Sequence, residues 1–336
     1  MKLLLRLPLV ILVLVSAAAA QLAPTLVWSE PTPGLLANQV EAVAWSPTDD
    51  VLAVGSSDRW FRLRLASDGT LLYSVLEPKN SGGVGEILFS HDGLLTGVRN
   101  EKSGMTFRVQ TTLEGAFLGK MTGSVGTDGL VVFAPDAQLL AAVGGDGTLS
   151  SWDFSDLTVL QVTGSGYQQV TTTFDFSPDG LLQTAAAKGF ITVRRTTDGA
   201  VVKVLRGGSV VEFSHDGSLL AAWSASPINE IVIWKTSDWS VVHHLVSSSS
   251  NDGVGALRFT LDDQRLVSTG YSPYLQQGLW QQKGFIRFWS VASGTPQVTF
   301  DSQTDIAVTS PVTWSPDGSK FAYGLYDGTV AVANTP

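Results

Sequence analysis

One short phrase returns seven times along this chain: an aromatic residue, then a small residue, then usually Pro or His, then Asp and usually Gly. It stands as Trp45-Ser46-Pro47-Thr48-Asp49, Phe89-Ser90-His91-Asp92-Gly93, Phe133-Ala134-Pro135-Asp136-Ala137, Phe176-Ser177-Pro178-Asp179-Gly180, Phe213-Ser214-His215-Asp216-Gly217, Phe259-Thr260-Leu261-Asp262-Asp263 and Trp314-Ser315-Pro316-Asp317-Gly318. The aromatic positions are 44, 44, 43, 37, 46 and 55 residues apart. A period of roughly 40 to 45 residues fits one four-stranded unit per repeat, and such a unit cannot bury its apolar faces alone. The chain is therefore constrained to set several copies of one small β unit side by side.

The phrase has a local physical cause. Its aromatic residue and the apolar residue two before it point to the same face of a strand, so both can pack between neighbouring sheets. In the turn that follows, Pro presets φ, Asp caps the backbone and Gly takes the left-handed position. In the sixth unit, Ala256 to Phe259, Arg265 to Ser268, Phe285 to Ser290 and Gln297 to Phe300 read as four strands by alternation. A second turn recurs between third and fourth strands, as Ser67-Asp68-Gly69, Thr197-Asp198-Gly199, Thr236-Ser237-Asp238 and Ala292-Ser293-Gly294. No segment after the N-terminal stretch keeps a helical period, so an all-β domain is expected. After Trp314 only two further strands fit, Lys320 to Tyr323 and Thr329 to Ala333, while Thr25 to Trp28 belongs to no unit. A closed ring follows if that N-terminal stretch completes the last unit, which removes exposed sheet edges.

These features resemble the WD40-repeat family. The ends of the third strands carry the resemblance: Leu149-Ser150-Ser151-Trp152-Asp153 has the literal Trp-Asp pair, and Ile231 to Lys235 and Ile286 to Ser290 keep the Trp as Trp234 and Trp289. Arg64, Arg195 and Asn334 or its neighbour stand at the corresponding place in other units, and the family's Gly-His dipeptide is missing. The resemblance implies a seven-bladed β-propeller over nearly all of residues 22–336, its last blade closed by the N-terminal strand. Of the family's His-Asp-Ser-Trp hydrogen-bond network it implies only a part, for example Asp146 near Trp152.

Residues 1–20 are read as a signal peptide, leaving 21–336 as a single domain: Lys2 and Arg6 precede an apolar run from Leu7 to Val15, and Ala18-Ala19-Ala20 offers a cleavage site before Gln21. An uncleaved anchor is the competing reading and the sole route to a membrane. The chain has no Cys, which removes thiolate chemistry and Cys-based metal sites; a domain this long can bury enough surface to stand without disulfides. Without Lys2 and Arg6, 19 basic residues face 30 acidic ones, a balance of −11. That excess argues against nucleic acid, whose affinity rests on Lys and Arg contacts to phosphate. The expectation is an exported monomer, secreted or in the periplasm or cell envelope.

Catalytic chemistry is not evident. His91 and His215 occupy turn positions where other units carry Pro, and His243 and His244 are neighbours on a strand and face opposite ways. The turn aspartates fall one per unit, too far apart to share an ion, so neither a metal nor a cofactor is expected, and no cluster of ionisable groups is apparent. What departs from the repeat is the stretch Tyr271 to Lys283, which lengthens the last step to 55 residues. Its Tyr271, Tyr274, Leu275 and Trp280 have the composition of a recognition surface. Asn229, Asn251 and Asp252, in adjoining connections, are expected on the same rim, with Arg59 and Trp60 as further candidates. The alternative for the insert is a lid folded on its own blade. The expected function is a non-enzymatic scaffold that binds another protein or a peptide of it through these loops. A propeller hydrolase or quinone-dependent dehydrogenase, or a carbohydrate-binding envelope protein, is the alternative.

Overall fold

The computed structural model describes residues 25–31, 39–90, 92–100, 106–122, 130–133, 139–143, 148–153, 159–164, 173–187, 189–224, 229–246, 252–276, 279–301, 308 and 311–336. The described residues contain strands and turns and no α-helix. The strands form seven antiparallel sheets of four. Sheets 1 to 6 run in chain order over residues 40–76, 84–122, 130–164, 173–206, 210–246 and 253–301, each a four-strand meander. Sheet 7 combines the strands Thr313–Trp314, Lys320–Gly324 and Thr329–Asn334 with the N-terminal strand Leu26–Pro31. The register pairs Trp28 with Val332 and Pro31 with Thr329, so the surplus strand at one end of the chain does supply the strand missing at the other.

Among the described residues, apolar layers join sheet 7 to 1, 1 to 2, 4 to 5, 5 to 6 and 6 to 7, as the alternation within the repeat phrase requires. Leu257 and Phe259 of sheet 6 are buried against Ala221 and Ile233 of sheet 5, and Val267 and Phe288 of sheet 6 against Phe321 and Tyr323 of sheet 7. Trp45 and Leu52 of sheet 1 are buried with Val330 and Val332 of sheet 7, and Trp28 donates from Nε1 to the carbonyl of Ala66 at 2.7 Å. The N-terminal strand is thereby fixed to sheet 1 as well as to sheet 7.

The repeated turn is built as its composition demands. Ser90, Ser177, Ser214, Thr260 and Ser315 each donate to the Asp two residues on, at 2.6–2.7 Å. Gly93, Gly180, Gly217 and Gly318 take positive φ of 68–72°, and Asp263 takes 53° where the sixth unit lacks Gly. At the second turn of sheet 5 the left-handed residue is Trp239, φ 62°, one beyond the expected Thr236-Ser237-Asp238.

The register corrects one assignment. The third-strand position equivalent to Trp234 and Trp289 is held in sheet 4 by Arg194, which pairs with Gln183, and Arg195 is one residue further on. In sheet 7 it is held by Ala333, the neighbour of Asn334, which pairs with Phe321, and Arg64 occupies it in sheet 1.

Candidate functional site

The stretch Tyr271 to Lys283 is not an irregular loop. It continues the second and third strands of sheet 6 into a long hairpin, Arg265–Gln276 against Leu279–Ser290, with pairing unbroken from Arg265↔Ser290 to Gln276↔Leu279. Because side chains alternate along a strand, Tyr271, Pro273 and Leu275 share one face, and the register pairs Trp280 with Leu275. Leu275 is 61% exposed and Tyr271 40% exposed. The Tyr271 ring lies over Gly253, where an added Cβ would fall 2.6 Å from it; a larger residue there would push the ring away. Tyr274, on the opposite face, is half-buried.

Beside the base of this hairpin the connections of sheets 5 and 6 do meet. Asn229 accepts a hydrogen bond from Trp223 Nε1 at 2.6 Å and donates to the carbonyl of Asp252, and Ser272 donates to Asp252 Oδ1 at 2.7 Å. Asp252, however, is 3% exposed. Its Oδ2 faces both terminal nitrogens of Arg287 at 3.3 Å, and that guanidinium lies over the rings of Phe285 and Trp289, at 4.6 and 5.6 Å from their centres. A buried carboxylate needs such partners, so Asp252 braces the hairpin from inside and is not available to a partner, contrary to the expectation from sequence. Asn251 lies outside the described residues, as do Asp146 and the His91 turn position. In sheet 6, Trp289 Nε1 donates to Ser268 Oγ at 2.9 Å, a Trp-to-Ser bond of the kind the resemblance implies.

Arg59 and Trp60 form part of a different turn. Arg59 is left-handed, φ 71°, and donates to the Glu77 carbonyl at 2.9 Å. Trp60 donates its backbone N–H to Asp58 Oδ1 at 3.0 Å, and Asp58 is ion-paired to Arg62 at 2.7 Å. No described contact joins them to Asn229, Asp252 or the hairpin.

A second feature was missed in the sequence. The first strands of sheets 1, 2, 4, 5, 6 and 7, or the residues leading into them, border one central cavity of about 570 Å³. Its wall carries Glu41, Glu86, Arg99, Asp175, Glu212 and Arg258. Arg99 pairs with Glu86 at 2.8 Å and Arg258 with Glu212 at 2.5 Å. Burial pushes Glu212 up to about 8 against the opposing charge of Arg258, and pushes Asp175 up to about 6 against the N–H of Phe213. These residues are scattered along the chain, but the signal was present: Asp175, Glu212 and Arg258 each stand one residue before the repeat aromatic, on the opposite face of the strand. Among the described residues no group of three or more His, Asp or Glu side chains could hold a metal ion, and no helix is long and apolar enough to cross a membrane.

Repeated four-stranded meanders, with first strands bordering a central cavity and apolar layers between sheets, define an all-β protein of propeller-like architecture. One stretch, residues 34–64, matches the family model described as WD domain, G-beta repeat. The chain is also similar to Intraflagellar transport protein 122 homolog of Xenopus tropicalis, with 26% identity over 168 residues, and to that of Homo sapiens, with 25% over 165 residues. Each match covers 47% of this chain and 12% or 11% of the relative, so the chain spans only a small part of the length of these proteins.

Proposed function

We propose that the seven sheets close into a single seven-bladed propeller and that it serves as an exported, non-enzymatic scaffold which binds another protein or a peptide through the extended hairpin of sheet 6. The observation that carries this reading is the apolar face of that hairpin, with Tyr271 and Leu275 exposed and Trp280 in register opposite Leu275. Exposed aromatic and aliphatic side chains on a rigid strand pair offer contact area at low entropic cost. The WD40 repeat supports a role in protein interaction, and the Lys2 to Ala20 segment supports export.

The test places a photo-crosslinking amino acid at Leu275 in the full chain expressed in its own cells, beside a variant in which an Asn-Gly turn joins Ser272 directly to Lys283. A discrete adduct at Leu275, and loss of the same partner from the shortened variant, is the expected outcome. No adduct, together with unchanged partners in the shortened variant, would retire the hairpin as the binding surface. Export is checked by sequencing the N-terminus of the recovered protein; processing is expected to leave Gln21 first.

A further inference from the structure

The central cavity is unevenly charged at one level. The position before each repeat aromatic is held by Ala44, Leu88, Asp175, Glu212, Arg258 and Thr313 in sheets 1, 2, 4, 5, 6 and 7. Three consecutive sheets thus place two carboxylates and one guanidinium together, while sheets 1 and 2 offer Ala44 and Leu88 at the same level. Asp175 is held from both sides, Oδ1 accepting the N–H of Phe176 and Oδ2 that of Phe213, each at 2.9 Å. Glu212 accepts from Arg258 through Oε2, and no described hydrogen bond reaches its Oε1. Among the described residues of the wall, Glu41, Glu86, Asp175 and Glu212 face Arg99 and Arg258, four acids against two bases. Withdrawing an unbalanced carboxylate from water is costly unless a cation or a proton joins it.

We propose that this cavity is a binding site for a protonated aliphatic amine, its ammonium group against Glu212 Oε1 and Asp175 and its alkyl chain toward the wall formed by Ala44 and Leu88. A volume of about 570 Å³ is within the usual range of small-ligand sites, roughly 300 to 1,000 Å³. The mixed wall suits an organic cation better than a bare one: calcium takes about six to eight oxygen ligands, which the described residues do not assemble. The site is separate from the hairpin and does not depend on the function proposed for it.

Proton linkage follows from the same geometry. Glu212 faces Asp175 of sheet 4 and Arg258 of sheet 6, with Asp263 of sheet 6 also raising its affinity for a proton; His215, in the turn of sheet 5, and Arg258 act on Asp175 in the opposite sense. With Glu212 at about 8, an arriving ammonium displaces a proton near neutral pH, and binding tightens as pH rises until the amine itself loses its charge near about 10.

The experiment is calorimetric titration of the full chain with 1,5-diaminopentane, with N-acetyl-lysine methylamide and with uncharged 1-pentanol, in two buffers of different ionisation enthalpy. Saturable binding of either amine with proton release, weakened at least about tenfold by Glu212→Gln (about 1.4 kcal/mol), is the expected result. Gly255→Leu should also abolish it without removing a charge, since a Cβ at Gly255 meets only the Thr269 carbonyl at 3.9 Å and the larger side chain would occupy the cavity. Binding of the diamine alone would mark the ligand as a free amine; binding of the lysine compound alone would mark it as a side chain. Failure of both amines to bind, equal binding of 1-pentanol, or an unaltered affinity in Glu212→Gln would overturn the proposal.

Discussion

The hydroxyl of the repeat phrase does more than its position in a turn suggests. Ser214 Oγ donates to Asp216 Oδ1 at 2.7 Å while accepting the N–H of Leu219 at 2.9 Å, so one buried side chain closes the turn in both directions. Ser214→Ala leaves the Leu219 N–H without this acceptor, and we expect a loss of about 1–3 kcal/mol, measured as a shift of the urea midpoint at constant slope. The aspartates record the same bonding. Ser315 and the N–H of Ser319 hold Asp317 down to about 2, and Ser177 and the N–H of Leu181 hold Asp179 below its ordinary value. A carboxylate lowered on folding stabilises the fold above its unfolded value of 3.8 and loses that contribution as pH falls toward the folded value. Glu212 has the opposite sign: its pKa rises on folding, so its contribution is complete below 4.5 and fades as pH climbs to about 8. The melting temperature should therefore drop between about pH 4 and 2 in every variant that keeps the turn aspartates. Its decline between 4.5 and 8 should flatten in Glu212→Gln; an unchanged slope would place the titrating group elsewhere.

At the level of strands and turns, the WD40 tryptophan and its replacements solve one problem in two ways. Trp289 and Trp234 fill the space between sheets, whereas Arg64 and Arg194 donate from Nη1 to the carbonyls of Gly69 and Gly199, five residues on, at 2.7 and 2.8 Å. The guanidinium thus ties the third strand to the turn after it. Arg64→Ala should cost about 1.5–3 kcal/mol, the range for a bond to a charged group, and a midpoint within error of the wild type would show the contact to be incidental. Such substitutions are invisible to a pattern that looks for Trp, because Arg carries no strand signal of its own; only pairing reveals that Arg194, and not Arg195, is the equivalent residue. The repeat was legible because its cause is local: a serine, an aspartate and a left-handed glycine within five residues make the turn wherever they stand. The hairpin was not, since Pro273 and the glutamines around it depress a strand reading, and their pairing is sustained by the long sheet from which they extend. Asp252 was misread for a related reason. An acidic residue before a Gly looks exposed, and nothing in the sequence shows that Arg287 will arrive beside it. The cavity escaped notice because its charges are assembled by stacking of sheets and not by proximity in the chain, although their common offset from the repeat aromatic was there to be read.

For the molecule as a whole, the decisive junction is between sheets 7 and 1, where residues from both ends of the chain share one sheet. The backbone of Asn334 donates to the carbonyl of Thr25 at 2.9 Å, and its side chain to Thr25 Oγ1 at 2.7 Å. Five register pairs follow to Pro31. Trp28 then crosses to sheet 1 through its bond to Ala66 and its packing against the turn at Gly69, where an added Cβ would lie 3.0 Å from the indole. Removal of residues 25–31 would strip sheet 7 of its outer strand, expose the donors and acceptors of Thr329–Asn334 as a free edge, and cut the tie to sheet 1. An uncovered edge invites pairing with other chains. We expect this truncation to lower the urea midpoint and to produce concentration-dependent association, while Trp28→Ala, which keeps the strand but loses the indole, lowers the unfolding free energy by about 2–4 kcal/mol without association. The comparison separates two contributions of the strand, its hydrogen bonds and its single anchoring side chain. If the truncated protein unfolded at the same denaturant concentration as the full chain and stayed monomeric, the pairing of the two ends would be a passive overlay, and the molecule would owe its integrity to the sheet-to-sheet layers alone.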